Sequence, residues 1–212
     1  AEALATDREA SAPADPAMAM ANPGDSAASA AAPAARSTAG RYTETVRKAA
    51  AFLQREDGPA VAVFDTTGWD THYNEGGGQG QLRNRLAVLD QGLRTLKQAL
   101  GDTWSRTAVL LATEFGRTAA ANGTHGTDHG TASAAFLLGG AVAGGRIIGD
   151  WPGLSPRALY QQRDLNPSLD MRSVMKSVLR DHLRLSARAL DKEVFPDSRS
   201  LPYLNDLLRA PV

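Results

Sequence analysis

Asp70-Thr71-His72 sets two metal-ligating side chains two residues apart. In an extended loop both point the same way and can hold one ion. A carboxylate with a neutral imidazole suits zinc, manganese or a similar divalent ion. Two further segments carry the same chemistry, Glu114-Phe115-Gly116-Arg117-Thr118 and Gly126-Thr127-Asp128-His129-Gly130. Asp128 and His129 are adjacent and face different ways, which fits two ions, or one ion with a supporting hydrogen bond. Plainer roles fit the same residues. Asp128-His129 reads equally as an Asx-turn with a surface His, and Glu114 with Arg117 as a salt bridge at a strand end. Trp69 suits a wall, His125 lies in an Asn-Gly-Thr-His-Gly loop, and His182 sits beside apolar helix positions, where a structural role suffices. Cys is absent, so thiolate sites and Cys nucleophiles are excluded. The chain has no Gly-rich phosphate loop and no nucleophile-elbow Ser.

Elements that alternate along the chain must position these residues. Val46, Ala49, Ala50 and Leu53 share one face of a helix expected over Thr43–Arg55, stopped by Asp57-Gly58-Pro59. Ala60–Phe64, Thr107–Thr113 and Ala134–Leu138 are short apolar runs bounded by turn residues, the pattern of buried strands. Ile147-Ile148 reads as a short edge strand. Leu82, Leu86, Leu89, Leu93, Leu96 and Leu100 form a helical stripe ended by Gly101 and expected to lie buried against a sheet. A last helix carries Met171, Val174, Met175, Val178 and Leu179. Apolar strands alternating with amphipathic helices predict an α/β fold, three-layer αβα with a mostly parallel sheet. In such sheets ligands bind beyond the carboxyl ends of the strands, where all three acidic and His-bearing segments fall. Glu114 is expected to be more buried than Arg117 and to face Asp70.

The 212 residues carry 23 basic and 23 acidic side chains, a balance that argues against a nucleic-acid binder. No apolar run reaches the roughly 18–20 residues of a membrane span. Residues 1–40 are rich in Ala, broken by Pro and free of aromatics, the composition of a flexible connection. Residues 41–212 carry the globular pattern.

With Gly149-Asp150-Trp151-Pro152-Gly153-Leu154 added, the motifs from Gly68-Trp69-Asp70-Thr71-His72 onward are recognisable in order and spacing. From about Ala60 to Pro196 the chain resembles the bacterial 1501 family of domains of unknown function, which looks like a branch of the alkaline phosphatase and sulfatase superfamily. That resemblance implies an exported protein of the twin-arginine route, and a site of divalent ions (zinc, manganese, magnesium or calcium) held by Asp and His at strand ends. Carried over residue by residue, Asp70, His72, Glu114, Asp128 and His129 are the metal ligands and Arg117 binds the anionic group of a substrate. Phe115 departs from the superfamily, which usually has His after the acid at that place. The early strand, Gly-rich loop and nucleophile region of the family are not in this chain, so the resemblance implies the C-terminal half of an alkaline-phosphatase-like domain.

Two functions follow as expectations. One is a metal-dependent hydrolase of small phosphate or sulfate esters. The other is a non-catalytic, metal-stabilised binding or cell-envelope protein on the same scaffold, since fold alone does not fix function.

Overall fold

The computed structural model describes residues 38–210. The expected connection over residues 1–40 lies outside them, except for its last three positions, which are helical. Helix α1, Thr38–Leu53, starts before the expected Thr43 and buries Val46 and Ala50 completely or nearly so. Helix α2, Gln81–Leu100, ends at Gly101, whose φ of 51° no β-carbon favours. Val46, Ala50, Leu96 and Leu100 form the core between the two helices, with Tyr42, Leu53, Trp104 and Val109 packed around it. The helices run in the same sense: Tyr42 lies against Gly92, and the Gln54 side chain donates to Leu100 O (3.0 Å) where both helices end. Two helices that run the same way need a long return segment, and residues 54–80 supply it, carrying Asp70 and His72.

The Leu stripe of α2 is buried only at its C-terminal end. Leu96 and Leu100 are buried, Leu82, Leu89 and Leu93 are half-buried, and Leu86 is 47% exposed. The reason is the neighbour: α2 packs on another helix, which covers a narrower stripe than a sheet would.

The strands also differ from expectation. Strand β1, Val109–Leu111, pairs antiparallel with β4, Phe136–Leu138, and β2, Gly116–Arg117, pairs antiparallel with β3, His129–Gly130. The described residues thus hold two short antiparallel ladders and no parallel pair. The expected strand at Ala60–Phe64 has no ladder partner, and Val61 and Val63 are 53% and 90% exposed. Ile147-Ile148 is likewise irregular and exposed. A strand exists only where another backbone completes its hydrogen bonds, and no backbone among the described residues forms a ladder with these two segments.

Helix α3, Met171–Leu183, is capped by Asp170, whose carboxylate accepts from Arg172 N (2.9 Å). Its buried residues are Ser173, Lys176 and Ser177, not the apolar set. Lys176 is fully buried; its Nζ lies 2.6 Å from Asp191 and 2.6 Å from Ser198 O, and 4.6 Å from the Tyr203 ring centre. This contact fastens the short helix α4, Ala187–Ala189, and the turn Leu190–Val194 that continues it. Met171, Val174, Met175, Val178 and Leu179 stay half-buried.

Candidate metal site

The β2–β3 ladder pairs Arg117 directly with His129, so residues twelve apart in sequence share one edge. The return segment is stitched to the same edge by backbone bonds. Asn74 N donates to Thr124 O (2.9 Å) and Glu75 N to His125 O (2.9 Å). Asn122 organises this contact: its Oδ1 accepts from the backbone of Thr124 and Gly126, and its Nδ2 donates to His72 O and to Asp128 Oδ1 (3.0 and 2.9 Å). Gly126 is needed there, since a β-carbon would stand 2.3 Å from the His72 carbonyl. Glu75 is buried and accepts from Thr127 Oγ1 (2.7 Å), closing the joint from inside.

These constraints bring Asp70, His72 and His129 together, with one ligand atom from each lying within 4.8 Å of the others. Both His72 Nε2 and His129 Nε2 approach the same oxygen, Asp70 Oδ1, at 2.9 and 2.7 Å. Donors about 2.0–2.1 Å from a tetrahedral ion lie roughly 3.3 Å apart, so a small adjustment of these side chains fits one divalent cation. The other His72 nitrogen, Nδ1, meets Asp128 Oδ1 at 3.1 Å. That pairing is how carboxylates commonly orient a metal-binding imidazole. The Phe115 ring stacks on His129 at 4.5 Å and 17°, fixing its plane. Phe115 thus supports His129 by stacking on its ring.

Arg117 is half-buried at this edge, with its side chain 18% exposed. It donates to Thr127 O (2.6 Å), Trp69 O (2.6 Å) and Asp70 Oδ1 (3.3 Å), and so ties the return segment to the β2–β3 ladder. Glu114 behaves oppositely to expectation. It is exposed and makes no ion pair or hydrogen bond among the described residues, neither facing Asp70 nor bridging Arg117. It sits in the turn between β1 and β2, where the chain leaves one ladder for the other and the side chain swings outward. His125 contributes its backbone in a left-handed conformation (φ 60°), and its ring is not part of the cluster.

Asn122, Glu75 and Asp164 are the supports that residue types alone did not single out. Asn122 had a signal in Asn-Gly-Thr, a turn sequence. Asp164 is 4% exposed and takes hydrogen bonds from Thr131 Oγ1 (2.8 Å) and Arg163 (2.8 Å), bracing the chain just past His129. It lies too far along the sequence for spacing to reveal.

The hydrogen bond from His129, helped by the positive charge of Arg117 nearby, holds the Asp70 carboxyl below its ordinary range. Hydrogen bonds from Asn122 and His72 do the same for Asp128. A carboxylate with a lowered folded-state pKa adds stability above its unfolded value and loses it as pH falls through the folded value. Asp57, Asp164, Asp170 and Asp181 are shifted the same way. Melting temperature is therefore expected to lose the carboxylate contribution only below about pH 4. Thermal scans from pH 7 down to pH 3 check this; a steep carboxylate-dependent loss above pH 5 that Asp70→Asn and Asp128→Asn abolish would contradict it.

No curated protein and no solved structure matches the chain. A family model described as "Protein of unknown function (DUF1501)" matches residues 2–194. The match starts well before Ala60, so it takes in the Ala-rich segment as well as every residue of the site. By this match over most of its length, the chain belongs to the DUF1501 family.

Proposed function

We propose that Asp70, His72 and His129 hold a divalent cation that serves hydrolysis of small phosphate or sulfate esters. The observation that carries this reading is the meeting of two imidazole nitrogens on one oxygen of Asp70. A neutral imidazole has one N–H, and His72 uses Nδ1 toward Asp128, which leaves a lone pair at Nε2 facing a carboxylate. A cation among the three groups turns that conflict into ligation. When bound, such an ion supplies Lewis-acid polarisation of an ester oxygen and lowers the pKa of a nucleophile or water. Asp128 and Asn122 orient His72, Phe115 orients His129, and Arg117 positions Asp70 and adds positive charge beside it.

The matching fold proposal is an αβα arrangement of the alkaline phosphatase and sulfatase kind, larger than the two ladders described. Support comes from the unpaired apolar segment Ala60–Phe64, from Phe136 standing 58% exposed on β4, and from the half-buried apolar face of α3. A larger sheet would pair the first and cover the others. Export by the twin-arginine route belongs to the same proposal and rests on the superfamily resemblance.

With water as the nucleophile, the chain loaded with zinc or manganese is expected to release nitrophenolate from p-nitrophenyl phosphate or p-nitrophenyl sulfate. Chelator and His129→Ala should each abolish the release. The second reading, a non-catalytic metal-stabilised binding protein, is favoured by Arg117, whose hydrogen bonds all end on protein oxygens. Metal binding by calorimetry without turnover of either ester would select it.

A further inference from the structure

A groove of about 460 Å³, lined in part by Trp69, opens between α1, α2 and the return segment. Its apolar wall is Tyr42, Trp69, Val88 and Leu89, all half-buried. The indole of Trp69 is fixed by its Nε1–H, which donates to Thr66 Oγ1 (2.7 Å). The charged groups on the lining are Arg41, Arg85 and Asp65, an excess of one positive charge.

Arg85 is incompletely satisfied. Its guanidinium is half-buried over the Gly68 backbone, and Nη1 donates to Thr67 O at 3.2 Å. Its Nε is buried with no acceptor among the described residues, and Arg85 forms no ion pair there. Arg117 has an acceptor for each terminal nitrogen; Arg85 has one acceptor for five donors. A half-buried guanidinium with so few protein partners is matched by a tetrahedral oxyanion such as phosphate, phosphonate or sulfonate, which offers several acceptor oxygens at once.

We infer that this groove binds a small aromatic anion, with the ring against Trp69, Val88 and Leu89 and the anionic group on Arg85. The inference deepens the ester-hydrolase reading and rests on it for the choice of phosphate-like ligands. It makes Arg85, not Arg117, the residue that takes the anion.

The test is calorimetric titration of the chain with phenylphosphonate, which cannot be hydrolysed, and with inorganic phosphate. Chelator is present throughout, so that binding does not depend on a cation at Asp70. Phenylphosphonate should bind at least about tenfold more tightly than phosphate, the gain of burying one ring. Arg85→Gln should weaken phenylphosphonate about tenfold or more, the effect of losing a charge-assisted pair. Asn84 is exposed on α2 and lines the groove, so Asn84→Glu adds a negative charge there without disturbing the core. It should weaken phenylphosphonate as well, and it decides the matter if Arg85→Gln fails to fold. Equal affinities for the two anions, or wild-type affinity in folded Arg85→Gln or in Asn84→Glu, would overturn the inference. The two ideas separate cleanly: phenylphosphonate binding that survives Asp70→Asn in a protein without turnover keeps the groove and removes the hydrolase.

Discussion

Zinc or manganese is expected to raise the melting temperature of the wild-type chain, and replacing Asp70 with Asn to abolish that rise. Asp70 Oδ1 is the point on which both imidazoles and Arg117 converge, so its charge is the centre of the site. A ligand that binds only the folded state stabilises it by about 2.7 kcal/mol at a hundred times its Kd. For a chain of this size that corresponds to roughly 5–10 °C. Asp70→Asn removes the anionic ligand and leaves two imidazoles, so most of the rise should vanish. His129→Ala should do nearly the same. Glu114→Gln separates the sequence-derived ligand set from the one in the fold. Its exposed carboxylate stands outside the cluster, so the metal-dependent rise should be unchanged. A rise that persists in Asp70→Asn, or one that disappears in Glu114→Gln, would mean that the ion sits elsewhere.

The largest stability effect is expected from Lys176. It is fully buried, and its ammonium group holds Asp191, the Ser198 carbonyl and the Tyr203 ring together. Breaking a buried ion pair from one side leaves the other charge uncompensated and costs about 3–5 kcal/mol. The Asp191 side chain keeps 16% of its exposure, which places Lys176→Ala near the lower end, about 3 kcal/mol. Lys176→Met with Asp191→Leu removes both charges and keeps the volume, so the pair of changes should cost less than either Lys176→Ala or Asp191→Ala alone. Urea unfolding of the single and double variants measures the coupling. A loss below about 1 kcal/mol in Lys176→Ala would show that the ion pair does not hold the C-terminal segment to α3.

Residue types and spacing nominated Asp70, His72 and His129, with Glu114 beside them, and for Asp70 with His72 the reason is local. Asp70 and His72 sit in an extended stretch where alternate side chains share a side, and His129 opens a segment of turn residues beside an apolar strand. Sequence also located α1, α2 and α3 to within a few residues, because a helix satisfies its own backbone and its periodicity survives without neighbours. Strands lack that independence. Ala60–Phe64 and Phe136–Leu138 look alike as apolar runs, but only the second has a backbone opposite it. Pairing, and its antiparallel sense, belong to the tertiary structure. So does the face a helix buries. Ser173, Lys176 and Arg180 recur with the same period as Val174, Val178 and their apolar neighbours, and periodicity cannot tell which stripe finds a partner. Asp191, Ser198 and Tyr203 complete the polar stripe from a distant part of the chain. At the site, likewise, residue types proposed both Glu114 and Arg117. The turn between the two ladders decided that Arg117 points in and Glu114 points out, because side-chain direction follows backbone register and not chemistry.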